Sequence, residues 1–215
     1  MSFIAGNYDE YGNAFMMSDS IGITSDLSSE NIKVAKHYDE RYNCNVYVGF
    51  SGIMDACEIM MQHFVNSDIQ YDAPKYKLIK EVNDWLIEFL NEYNICFDMC
   101  SLICMFKNRF IVIRICDRET PYDIYVTDPD DINKNPTAIG AGLDIYYQFT
   151  KLFEGTKYNE WITFDEIFKL VTYKNINTNF PVYRFNPSND SIIIYKDFND
   201  CGRVISMSEF KFINV

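Results

Sequence analysis

Apolar residues in this chain fall into short runs and one long helical stripe. Positions 3–8 and 13–19 are apolar stretches parted by Asp9, Glu10, Tyr11 and Gly12, which predicts a hairpin. Positions 22–31 are polar and read as a loop. Runs at 32–36 and 46–50 predict strands joined by a polar turn over 37–45. After Ser51 and Gly52, Cys57, Met60, Met61 and Phe64 share one face of a helix expected over 54–66. Beyond Pro74, Leu78, Ile79, Val82, Trp85, Leu86, Phe89, Leu90 and Tyr93 recur at three-and-four spacing, while Lys77, Lys80, Glu81, Asp84 and Glu88 take the other face. That is the signature of an amphipathic helix.

The second half repeats the alternation. Runs at 101–106 and 109–116 flank Lys107 and Asn108 as a hairpin, and 121–127 is a further strand. A turn follows at 128–133, then a helix over 143–153 after Gly140 and Gly142. Thr163 with Glu166 forms a capping box, and Ile162 with Ile167 a hydrophobic staple, so another helix starts there and runs to about 173. The tail offers strands at 181–185 and 191–195 and one or two short pieces after Gly202. Strand groups alternate with helix pairs, rather than single strands with single helices. That order argues against a doubly wound parallel sheet and for an α+β fold of antiparallel sheets with helices on the outer faces.

Composition narrows the function classes. The chain has 215 residues, 48% of them apolar, and a formal net charge of −12. The apolar content is too high for a disordered chain and suffices for one sizeable core, so residues 1–215 read as a single domain. The acidity argues against a surface that wraps nucleic acid. No apolar run approaches a membrane span. The first residues lack a basic segment followed by an apolar one, so a cytoplasmic location is expected. Seven cysteines, an odd number lying mostly in apolar segments, read as buried thiols and not as a disulfide framework.

Several chemistry-bearing residues have plain readings. His37 and His63 have no Cys or His partner at ligand spacing. Cys96, Cys100 and Cys104 recur every fourth residue without a C-x-x-C and read as core thiols. Asp128, Asp130 and Asp131 lack the glycine and glutamate that complete a calcium loop. Gly140 to Gly142 is too short for a dinucleotide fingerprint and follows no βαβ unit. No metal and no cofactor is expected.

Three segments, in this order, resemble proteasome β-type subunits and HslV-type peptidases, members of the N-terminal-nucleophile hydrolases. Gly12 through Asp19 (GNAFMMSD) looks like the family's second strand. Lys33, followed by Val48 through Ala56 (VGFSGIMDA), looks like its lysine strand, strand end and helix start. Ala138 through Tyr146 (AIGAGLDIY) is similar to the glycine turn that opens its third helix. The resemblance implies a four-layer αββα sandwich that assembles with copies of itself into a ring, with an ATPase or another protein as further partner.

The resemblance also implies amide hydrolysis by a chain-terminal hydroxyl or thiol whose own α-amine acts as base. Ser2 would be the nucleophile once Met1 is removed, Asp19 and Lys33 its activators, and Gly52 the oxyanion donor. The match departs at three places. Ala141 stands where the family has serine, Ile21 where it has a polar residue, and no Asp-x-x-Ser-Gly occurs over 173–180. A register fixed on Gly12 and Asp19 would put Phe3 at the nucleophile position, and a one-residue slip would give Val34 the place of Lys33. Asp19 could equally fix a turn, Lys33 could be a solvated edge charge, and Gly52 could serve backbone geometry alone. The readings left open are a self-assembling peptidase, a catalytically inactive structural or interaction subunit, and an unrelated acidic binding module.

Overall fold

The computed structural model describes residues 2–20, 33–93, 100–115, 122–131, 137–153 and 163–214. The predicted loop at 22–31, and Ile21, Cys96, Cys116 and Ile162, lie outside the described residues. Strands β1 (Phe3–Tyr8), β2 (Ala14–Ser18), β3 (Val34–Asp39) and β4 (Cys44–Ser51) precede helices α1 (Met54–Val65) and α2 (Lys75–Tyr93). Strands β5 (Ser101–Phe106), β6 (Arg109–Ile115), β7 (Tyr122–Thr127) and β8 (Thr137–Gly140) precede α3 (Leu143–Phe153) and α4 (Phe164–Lys174). Strands β9 (Val182–Asn186), β10 (Ser191–Tyr195), β11 (Arg203–Ser206) and β12 (Ile213–Asn214) close the chain.

Two six-stranded sheets result, in the orders β11-β10-β9-β2-β1-β8 and β12-β3-β4-β5-β6-β7. The pairings are antiparallel except for the two-residue β12, which runs parallel to β3. The side-chain period of two sorts each central strand between two cores. Ile4, Met16, Tyr47, Ile103, Phe110 and Val112 meet between the sheets. Phe3, Ala5, Phe15 and Met17 turn outward against Tyr146 of α3 and Phe168 and Val171 of α4. Val46, Val48, Phe50, Leu102, Ile111 and Ile113 turn the other way, onto Cys57, Met60, Phe64, Leu78, Leu86 and Phe89 of α1 and α2. The four layers are therefore α1 and α2, one sheet, the other sheet, and α3 and α4. This is the αββα sandwich of the N-terminal-nucleophile hydrolase fold. Burial on both faces also explains why the central strands are continuous apolar runs and not alternating ones.

Local chemistry sets the element ends. The capping box forms: Thr163 Oγ1 accepts the Glu166 N–H at 3.3 Å, and Glu166 Oε2 accepts the Thr163 N–H at 2.8 Å. Lys107 and Asn43 hold the hairpin turns with positive φ of 51° and 50°.

Three expectations need correction. The polar turn over 37–45 shrinks, because β3 runs to Asp39 and β4 starts at Cys44; His37 and Tyr38 are polar-tipped strand residues paired with Val46 and Asn45. Strand β8 was not anticipated, since four residues give no periodicity to read. Cys57, Cys100 and Cys104 are buried as expected, but Cys201 is exposed and Cys44 half-buried.

Candidate functional site

Antiparallel pairing brings four strand ends to one end of the sandwich. The start of β1 lies beside the end of β2, since Ile4 pairs with Ser18. The start of β3 lies beside the end of β4, since Val34 pairs with Gly49 and the Phe50 N–H bonds the Lys33 carbonyl at 3.0 Å. The two pairs belong to different sheets, and Ser2 joins them: its N–H reaches Ser51 Oγ at 3.3 Å, and the Ser51 hydroxyl donates to the Ser2 carbonyl at 2.9 Å. Ser2, Asp19, Lys33 and the Ser51–Gly52 turn are thus brought together.

Ser2 is buried and clamped. The Ala141 N–H also bonds the Ser2 carbonyl, at 2.9 Å. Gly140 makes this approach possible. Its φ is +97°, and a Cβ there would lie 1.8 Å from the Ser2 carbonyl oxygen and 2.6 Å from Ser51 Oγ. Gly52 also has a positive φ, 144°, as β4 turns toward α1. Phe3 is fully buried in the core, stacked on Phe168 with ring centroids 4.6 Å apart. Phe3 is therefore a core residue with no reactive group, whichever register is taken. Val34 is likewise a core residue between the sheets, and Lys33, not Val34, shares the cluster with Asp19.

Asp19 is fully buried. Its Oδ1 accepts the Phe3 N–H at 3.0 Å, and its own N–H bonds the Phe3 carbonyl at 3.2 Å. Its Oδ2 is buried and finds no hydrogen-bond partner among the described residues. Burial pushes the carboxyl up to about 8, against the opposing pull of the Phe3 and Asn179 backbone and of the Lys33 charge. Lys33 is buried too, so it is not a solvated edge charge. Its Nζ sits 3.6 Å from Met54 Sδ and 5.5 Å from the Phe50 ring centre. Burial in this apolar wall lowers its pKa, and the nearby Asp19 charge opposes that shift. Burial thus drives the Asp19 carboxyl and the Lys33 amine each toward its neutral form, while the charge of each favours the charged form of the other.

Two features were not singled out from the sequence. Ser51 was read as part of a strand end, without a role of its own. Over 173–180, where no Asp-x-x-Ser-Gly occurs, amide and hydroxyl side chains buttress the site: Asn175 Nδ2 donates to the Ala141 carbonyl at 2.8 Å, and Thr178 Oγ1 to the Thr172 carbonyl at 3.0 Å. Neither was legible without knowing which loops converge. Among the described residues, no group of three His, Cys, Asp or Glu side chains could hold a metal ion. No helix among them is long and apolar enough to cross a membrane.

No family model matches the chain, and no curated protein matches it by sequence. Solved structures do resemble it. BPH of Thiobacillus denitrificans in complex with epoxomicin is similar at 13% identity and a TM-score of 0.56, covering 86% of this chain and 97% of that one. A second structure of Thiobacillus denitrificans BPH gives 13% and 0.53, covering 86% and 96%. Anbu (ancestral beta-subunit) from Yersinia bercovieri gives 14% and 0.49, covering 96% and 88%. The expected family, proteasome β-subunits with HslV-type peptidases, is corrected by these matches. The similar structures named above are of BPH and Anbu, which do not point to the HslV type, and at such identities the likeness to BPH carries the fold alone.

Proposed function

We propose that this protein is an N-terminal-nucleophile peptidase in which Ser2, freed of the residue before it, attacks peptide bonds. The observation that supports this most is the position of Ser2. It lies buried at the head of β1, clamped by Ser51 and Ala141, with Asp19 on the next peptide N–H and Lys33 in the same cluster. An amino-terminal serine there has an amine and a hydroxyl on one residue, in one cluster with Lys33, whose charge, when protonated, disfavours protonation of the amine.

The reaction follows from those groups. The free amine takes the Ser2 Oγ proton as Oγ bonds the scissile carbonyl carbon. The carbonyl oxygen becomes an oxyanion, for which the Gly52 N–H is the candidate donor. On collapse the C–N bond breaks, and the departing nitrogen leaves with the proton held by the amine. Water, deprotonated by the same amine, then releases the acyl group and restores Ser2. Asp19 and Lys33 hold and tune this centre. Any residue left ahead of Ser2 converts the amine into an amide and stops the cycle.

The experiment is hydrolysis of a fluorogenic peptide library by protein beginning at Ser2 and by its Ser2→Ala variant. Activity in the first and none in the second is expected; equal turnover by both would end the proposal. The alternative, an inactive structural subunit, is favoured by one observation: the Asp19 carboxyl is already committed to the Phe3 N–H, a contact that by itself merely completes the β1–β2 ladder. Either reading includes self-association into a ring, as the fold resemblance implies, and native mass measurement of the purified protein tests it.

A further inference from the structure

We infer that Ser51 is a positioning residue that orients the α-amine of Ser2, an inference that rests on the peptidase reading. The Ser51 hydroxyl proton is spent on the Ser2 carbonyl at 2.9 Å, so its oxygen faces the Ser2 nitrogen, 3.3 Å away, as an acceptor. A hydroxyl donor at that place would bond the amine lone pair and quench it as a base. A hydroxyl acceptor takes one N–H instead and leaves the lone pair for the Ser2 Oγ proton. The side chain that follows Gly140 is the methyl of Ala141, which offers only its backbone N–H, to the Ser2 carbonyl. Ser51 therefore supplies a side-chain hydroxyl to this nitrogen from the opposite sheet.

The contact is held on both sides. Ser51 is the last residue of β4, paired with Ser101 of β5, and it is buried. Gly140 lies against both partners, since a Cβ there would meet the Ser2 carbonyl and Ser51 Oγ together. Among the described residues, the titratable groups of the same cluster are Asp19, which accepts the next peptide N–H, and Lys33. Ser51 contributes a neutral acceptor to this set, and an acceptor favours the protonated amine.

Removing it should therefore move the amine pKa down. In Ser51→Ala the Ser2 nitrogen loses this acceptor, but the Ser2 carbonyl keeps the Ala141 N–H, so the variant should fold. The test uses the full chain beginning at Ser2 and reads two quantities. The pH dependence of amine acylation gives the amine pKa without requiring turnover. The pH profile of kcat/KM gives its acid limb. Ser51→Ala is expected to shift both downward by about half to one unit, and to cut kcat roughly tenfold with KM little changed. Ser51→Thr, which restores the hydroxyl, should return both toward the parent values.

An amine pKa and acid limb that stay put in folded Ser51→Ala would overturn the inference and leave the peptidase reading intact. A shifted amine pKa in a parent protein that hydrolyses nothing would end the peptidase reading while the Ser51 contact stands.

Discussion

Asp19 Oδ1 accepts the backbone N–H of Phe3 at 3.0 Å, from a carboxyl that is wholly buried. One oxygen thus closes the β1–β2 ladder one step beyond its last residue pair, while the other is left without a partner among the described residues. The arrangement anchors the peptide just after Ser2 and makes the protonation of Asp19 a property of the whole fold.

That raised pKa has a definite consequence for stability. In the unfolded chain Asp19 releases its proton near 3.8, and in the folded protein near 8. Between those values the native state holds a proton that the unfolded state has lost. Stability is therefore greatest below the unfolded value and falls as pH rises toward 8, by up to about 1.4 kcal/mol per pH unit. Lys33, whose pKa is lowered, contributes the opposite slope at higher pH, where the unfolded lysine is still protonated. Asp19→Asn keeps an acceptor for the Phe3 N–H, so urea unfolding at intervals from pH 4 to 8 should lose most of the parent's decline. An unchanged slope in the variant would show that Asp19 is not its source.

Gly140→Ala should be severely destabilising. The substitution puts a Cβ 1.8 Å from the Ser2 carbonyl oxygen and imposes a φ of +97° on an alanine. A cost of about 3 kcal/mol or more is expected in chemical denaturation, from backbone strain and displacement of β1 together. Peptidase activity should fall with it, because Ser2 is what moves.

Thr163→Ala supplies the contrast. It removes the capping box at the start of α4, on the outer layer, and leaves the site contacts in place. A loss of about 1 kcal/mol is expected, with activity retained at temperatures where the protein stays folded.

Arg184 and Asp165 form an inward-facing ion pair at 2.8 Å, joined by the Tyr195 hydroxyl, with the guanidinium stacked on Phe15. Arg184→Ala leaves a nearly buried carboxylate with the Tyr195 hydroxyl but no cation, and about 3 kcal/mol should be lost in thermal or urea unfolding. A loss below about 1 kcal/mol would show that the pair is effectively solvated.

Much of this was legible in the residues. The α2 stripe named Leu78, Val82, Leu86 and Phe89, and all four lie in the core. The apolar runs gave the strands because both faces of the central strands are covered. The glycine turn at 140 was visible, yet its reason was not, since it depends on Ser2 and Ser51 arriving from two other elements. Ser51 escaped notice for the same cause: a serine at a strand end is ordinary until the opposing sheet sets Ser2 against it. That Phe3 and Val34 both enter cores could be seen only once their strands were paired, because two faces of each strand are covered.

The most direct test of the account is peptide-level mass spectrometry after incubation with a peptide that carries a hydroxyl-reactive carbonyl electrophile. The account predicts an amino terminus at Ser2, an adduct on that residue, and none in Ser2→Ala. A folded parent protein that keeps Met1, or that begins at Ser2 and stays unmodified, would contradict it.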